Sequence, residues 1–126
     1  MNIGSVAGVL AASNGSPYSA TKHALEAMSD SWRQELALSG IAVSLVQPGF
    51  IASKMCQKDV CDDAELPYFS AAVAHAITSS YPKSRYPVAS VIVMPSWLAV
   101  WLRKSVPDRV FDAITELVIR ITGLDM

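Results

Sequence analysis

The sequence predicts an α/β fold, a parallel sheet covered by helices, and three observations carry that prediction. Ile41 to Val46 is nearly unbroken apolar and branched without alternation, the pattern of a strand buried on both faces. Before it, Leu25, Met28, Trp32 and Leu36 recur at three- and four-residue steps, the apolar stripe of a helix. After it, Pro48-Gly49 stops the strand at its carboxyl end, where open α/β sheets bind their ligands.

Composition narrows the classes of function. The chain has 126 residues, a net charge of −1 and 52% hydrophobic residues, which suits one globular domain. With no basic cluster there is no electrostatic case for nucleic acid as a partner. Cys56 and Cys61 fall in a loop-like stretch without a companion Cys/His pair, so they read as ordinary thiols and no metal site is expected. No basic segment followed by an apolar core opens the chain, so no signal peptide is visible, and the expected location is cytoplasmic.

Taken in order, Met1 to Ser5 reads as the tail of a strand, and Val6 to Ser16, rich in Ala, Gly, Ser and Asn, as a loop. The helix from about Pro17 to Ser39 has Pro17 in its first turn and Gly40 as its stop. Its apolar stripe is offset from Tyr18 and Lys22, so packing and chemistry use different faces. Met28 and Trp32 suit the core or a partner chain equally, and His23 reads as a surface or interface histidine. Lys54 to Leu66, with Asp59, Asp62, Asp63 and Glu65, reads evenly as a lid over a pocket or as a solvated loop. Pro67 opens a helix over Tyr68 to Ser79 with Phe69, Val73, Ala76 and Ile77 inward and His75 at the surface.

Val88 to Leu102 is apolar but shorter than the roughly 20 residues a membrane-spanning helix needs, and Pro95 divides it. Within it, Trp97, Leu98, Trp101 and Leu102 form an amphipathic turn or two. Burial of this stretch is expected, while membrane association through Trp97 and Trp101, beside Arg103 and Lys104, stays open. The last helix, from about Pro107 to Thr122, has Val110, Phe111, Ile114, Leu117, Val118 and Ile121 as its apolar face, and Gly123 ends it.

The chemistry lies near the start. Tyr18 and Lys22, in Pro17-Tyr-Ser-Ala-Thr-Lys22, put a phenol and an ammonium one helical turn apart on one face. A positive charge at that spacing favours the phenolate, which suits giving a proton to a developing alkoxide or taking one from an alcohol. Ser5 lies thirteen residues before Tyr18 and can donate a hydrogen bond to a substrate oxygen, and Pro48-Gly49 lies thirty residues after it.

A serine, Tyr-x-x-x-Lys and a strand ending in Pro-Gly, in this order and spacing, resemble the short-chain dehydrogenase/reductase family over residues 1–55. The resemblance implies the C-terminal half of a Rossmann-like, doubly wound parallel sheet with extra C-terminal helices. Residues 1–55 would be the catalytic and Pro-Gly part of a partial domain, and residues 56–126 its substrate side. It implies an oxidoreductase that interconverts an alcohol and a carbonyl with NAD or NADP. Ser5, Tyr18 and Lys22 would then be catalytic: Ser5 bonds the carbonyl oxygen, Tyr18 transfers the proton, and Lys22 supports the phenolate and bonds the nicotinamide ribose. Tyr18, Lys22, Pro48, Gly49, Ile51 and Ser53 would bind the cofactor, with Ser53 standing where the family has Thr. Gly4 replaces the first member of a common Ser-Ser pair and leaves the role to Ser5.

Ser84 to Met94 and Val106 to Asp112 are more loosely similar to the retinol and 17β-hydroxysteroid dehydrogenases, which implies a pocket for a large apolar alcohol or ketone such as a steroid or retinoid. The family also implies a homo-oligomer through the Tyr18-Lys22 helix. The glycine-rich pyrophosphate turn and the ribose reader do not occur in these residues. The chain is therefore expected to be a fragment or a truncation that binds cofactor poorly alone. A truncated chain that only dimerises or binds a partner is the alternative.

Overall fold

The computed structural model describes residues 1–11, 13–51, 63–91 and 94–122. Three parallel strands, β1 (Asn2–Ile3), β2 (Leu45–Pro48) and β3 (Arg85–Val88), lie in that order with β2 in the middle. Parallel neighbours need long crossovers. The first contains helix α1 (Ser16–Glu35) and the second helix α2 (Leu66–Thr78). Beyond β3 come a small antiparallel pair, β4 (Ser90–Val91) and β5 (Met94–Pro95), then helices α3 (Ser96–Ser105) and α4 (Asp108–Thr122).

Register assigns each strand residue to a face. Asn2, Leu45 and Arg85 lie side by side, as do Ile3, Val46 and Tyr86, and successive residues of a strand point to opposite faces. Val46 and Tyr86 pack with Ala72 of α2, and Phe69, Val73 and Ala76 close around them. Burying an aliphatic side chain of this size stabilises by roughly 1.5–3 kcal/mol. On the other face Asn2 Nδ2 donates to Ser29 Oγ at 3.0 Å and Gln47 Nε2 donates to Glu26 Oε1 at 2.5 Å. Arg85 donates to Glu26 Oε2 at 3.0 Å and to Asp30 Oδ2 at 2.7 Å. Thus α1 and α2 cover opposite faces, the doubly wound arrangement expected from the sequence.

The contact between α1 and the sheet is polar, which corrects a core role for its apolar stripe. Ser19 and Ser29 are the buried residues of α1, whereas Met28 and Trp32 are 45% and 37% exposed. The reason lies across the interface: around buried Leu45, the strand positions on that face are Asn2, Gln47 and Arg85, and they take the polar side of the helix. Asp30 receives Arg85 and, at 2.9 Å, Arg33. The hydrogen bonds from Arg85 first and Arg33 second hold the Asp30 carboxyl below its ordinary range, and Asp30 in turn raises Arg85.

Several boundaries and faces also differ from expectation. The strand begins at Leu45, not Ile41, because the chain is still leaving the helix there: Ile41 N–H donates to Leu36 O at 3.2 Å, and Gly40 takes the left-handed φ of 70° that ends such a helix. Ile77 is exposed and Ala72 is buried in its place, since positions 69, 72, 73 and 76 share one side of α2. Pro87 sits in β3, an edge strand, where a missing N–H is tolerated. Trp97 and Trp101 are exposed on α3, which buries Ser96, Ala99 and Val100 instead. On α4, Val110, Ile114, Leu117 and Ile121 are exposed. Among the described residues no helix is long and apolar enough to cross a membrane.

Candidate active site

The first three expected site residues stand around the carboxyl end of β1. Pro17 enters the first turn of α1, and the helix then fixes Tyr18 and Lys22 one turn apart. The Lys22 ammonium lies 5.6 Å from the centre of the Tyr18 ring. It also donates to Ile3 O at 3.3 Å, so the last residue of β1 holds it in place. The Tyr18 side is open: the residue is 41% exposed. Ile3 precedes Ser5 by two residues, which span at most about 7 Å of chain.

Ser5 is at the margin of burial and caps the short turn Val6–Gly8. Its Oγ accepts the Ala7 N–H at 3.1 Å and donates to Pro48 O at 3.4 Å, a long bond. The ends of β1 and β2 are joined there, and Pro48-Gly49 leaves β2 beside Ser5. Gly49 N–H donates to Val88 O at 2.8 Å and Phe50 N–H to Ser90 O at 2.9 Å, so this turn lies along the end of β3. A Cβ on Gly49 would stand 2.3 Å from Ser90 O and 2.6 Å from Ser96 Oγ, closer than any side chain tolerates. Ile51 is half-buried just beyond. Ser53, Cys56 and Cys61 and most of the expected lid lie outside the described residues.

So the fold brings Tyr18 to Lys22, and Ser5 to Pro48, at the ends of two adjacent strands. An open cleft of about 310 Å³ lies elsewhere, among His23, Glu26, Arg85, Arg103 and Lys104, and none of the expected site residues lines it. Sequence reasoning missed Ile3 O as the anchor of Lys22, because a backbone acceptor has no signature. It also missed the Arg85 network. Glu26 and Asp30, one turn apart on α1, were its visible half.

Residues 1–64 match the short chain dehydrogenase family, half of the chain, a span that includes Ser5, Tyr18, Lys22 and Pro48-Gly49. The chain belongs to that family. Its relatives include the uncharacterised oxidoreductase YbbO of Escherichia coli strain K12, 34% identical over 127 residues, covering 89% of this chain and 46% of the relative. Retinol dehydrogenase 5 of Mus musculus is 32% identical over 155 residues, covering 90% of this chain and 46% of its own length. A crystal structure of a short-chain dehydrogenase from Streptomyces avermitilis superposes with a TM-score of 0.59 at 25% identity, over 99% of this chain and 52% of that one. This chain therefore spans about half the length of these relatives.

Proposed function

We propose that the protein is an oxidoreductase that interconverts an alcohol and a carbonyl with NAD or NADP. The observation that carries this reading is the Lys22 ammonium, 5.6 Å from the Tyr18 ring centre and tied to Ile3 O. Ser5 hydrogen-bonds the substrate oxygen. In the reducing direction Tyr18 gives its phenolic proton to that oxygen, and in the oxidising direction it takes the proton back. Lys22 stabilises the phenolate between these events.

The residues present fit the nicotinamide end of the cofactor. An ammonium has three protons to donate, and among the described residues that of Lys22 holds one hydrogen bond, a long one. Its remaining donors would bond the ribose hydroxyls, and Tyr18 beside it is 41% exposed. By the family resemblance, Pro48, Gly49 and Ile51, with Ser53 outside the described residues, would hold the nicotinamide. When bound, the nicotinamide supplies or accepts the hydride at the carbonyl carbon.

The substrate in this reading is a large apolar alcohol or ketone of steroid or retinoid type, supported by the likeness to a retinol dehydrogenase over most of this chain. Met28 and Trp32, exposed on α1, form a self-association surface. Trp97 and Trp101, exposed beside Arg103 and Lys104, suit contact with a membrane surface. A second reading, a chain that works only by binding a partner, is favoured by exposed Ile3 on β1, which has no strand on its outer side among the described residues. Tyr18→Phe in the full-length protein separates the two. Turnover of an apolar alcohol with NAD or NADP falls about 100-fold or more if Tyr18 moves the proton, and unchanged turnover rejects the first reading.

A further inference from the structure

We infer that Ser96, outside the Ser5–Tyr18–Lys22 group, is a positioning residue for the Pro48–Gly49 turn and thereby for the nicotinamide end of the cofactor. The inference rests on the reading above and adds to it a residue from α3.

The observation is a chain of contacts that begins at a strained residue. Ala89 has a φ of 66°, the left-handed region that a residue with a Cβ rarely adopts. Such a conformation persists only when its surroundings hold it. Ser96, at the first position of α3 and fully buried, supplies the hold. Its N–H donates to Ala89 O at 2.9 Å, and its hydroxyl donates to the same oxygen at 2.6 Å, with Val88 O 3.0 Å away.

What Ala89 separates is functional. Val88 O accepts the Gly49 N–H, and Ser90 O accepts the Phe50 N–H. The two carbonyls that seat the Pro48–Gly49 turn therefore flank the residue that Ser96 clamps. Ser96 Oγ also packs against the Gly49 α-carbon, as does Ser90 O, which is why neither leaves room for a Cβ there. Ser90 Oγ donates to Glu65 Oε1 at 2.7 Å, so the same segment is pinned to the start of α2. Without the hydroxyl of Ser96, Ala89 keeps one bond in place of two and can relax toward negative φ, carrying both carbonyls with it.

The test compares four forms of the full-length protein: wild type, Ser96→Ala, Ser96→Ala with Ala89→Gly, and Tyr18→Phe. Steady-state kinetics give KM for cofactor and substrate and kcat, fluorescence of the reduced dinucleotide gives binding, and circular dichroism gives folding. Losing one buried hydrogen bond is expected to raise the cofactor KM of Ser96→Ala roughly tenfold, with kcat and the substrate KM within about twofold of wild type. Glycine adopts positive φ without strain, so Ala89→Gly is expected to return the cofactor KM toward wild type, and that double variant carries the test if Ser96→Ala does not fold. A folded Ser96→Ala with unchanged cofactor KM overturns the inference. So does a uniform loss that Ala89→Gly leaves uncorrected, or failure of both variants to fold, since Ser96 is then structural only. Tyr18→Phe, which removes the proton donor, loses turnover through kcat and serves as the control for the chemical step. A wild type that neither binds nor turns over with NAD or NADP overturns the parent reading, and the role of Ser96 falls with it.

Discussion

Arg85 on β3 and Asp30 on α1 are 55 residues apart in the chain and 2.7 Å apart in the fold. Arg85 reaches Glu26 as well, and Glu26 also accepts from buried Gln47, so four polar side chains knit the helix that carries Tyr18 and Lys22 to the sheet. These bonds help to fix the position of the site.

Arg85→Met tests that dependence. Glu26, 12% exposed, would keep Gln47 as its partner but lose its countercharge. A cost of about 2 kcal/mol is expected, that of a hydrogen bond to a charged group. Urea denaturation measures it. Adding Glu26→Gln should recover part of the loss, because the residues are coupled.

Asp30 predicts a dependence on pH. Its folded carboxyl is held below the ordinary value near 3.8, so its contribution is fully present above that value and is lost as pH falls through the lower folded value. The side chain is 40% exposed, so solvent screening keeps the amount below about 1 kcal/mol. Asp30→Asn should flatten the stability profile between about pH 5 and pH 3, read by denaturation at each pH.

Lys22→Ala should lower turnover about 100-fold or more by withdrawing the charge that supports Tyr18. Its bond to Ile3 O is long and lies at the surface, so stability should change by less than about 0.5 kcal/mol. Kinetics beside a thermal melt separate the two effects.

Gly49→Ala should destabilise by about 1–3 kcal/mol, the range for forcing atoms into a packed site. The obstructing atoms are Ser90 O, next to strained Ala89, and Ser96 Oγ on α3, and the first is backbone that cannot swing aside. A lowered denaturation midpoint is the expected result.

For the self-association proposed through α1, Trp32→Lys together with Met28→Glu should weaken it while leaving the fold intact, since these side chains are 37% and 45% exposed. Sedimentation velocity over a concentration series reads the change.

Much of the local structure was legible. Leu25, Met28, Trp32 and Leu36 announced a helix, and the helix is there, but the same stripe could not say which side faces the sheet. Ile41 to Val46 announced a buried strand, and β2 is buried, but its first residue was misplaced by four because the exit from the helix competes for Ile41. The apolar positions of α3 announced an amphipathic helix without revealing that Trp97 and Trp101 turn outward while Ser96 turns in.

By itself the sequence determined the α/β class, the order of elements, and the one-turn spacing of Tyr18 and Lys22, because these depend on residues near one another in the chain. Only the tertiary structure decided that α1 meets the sheet through Ser29, Glu26 and Asp30, that Ile3 O anchors Lys22, and that Ser96 braces the turn at Gly49. Those choices rest on partners tens of residues distant, or on backbone carbonyls that every residue has alike. Periodicity records how a helix is divided between polar and apolar sides, and the surface laid against it selects the side that is buried.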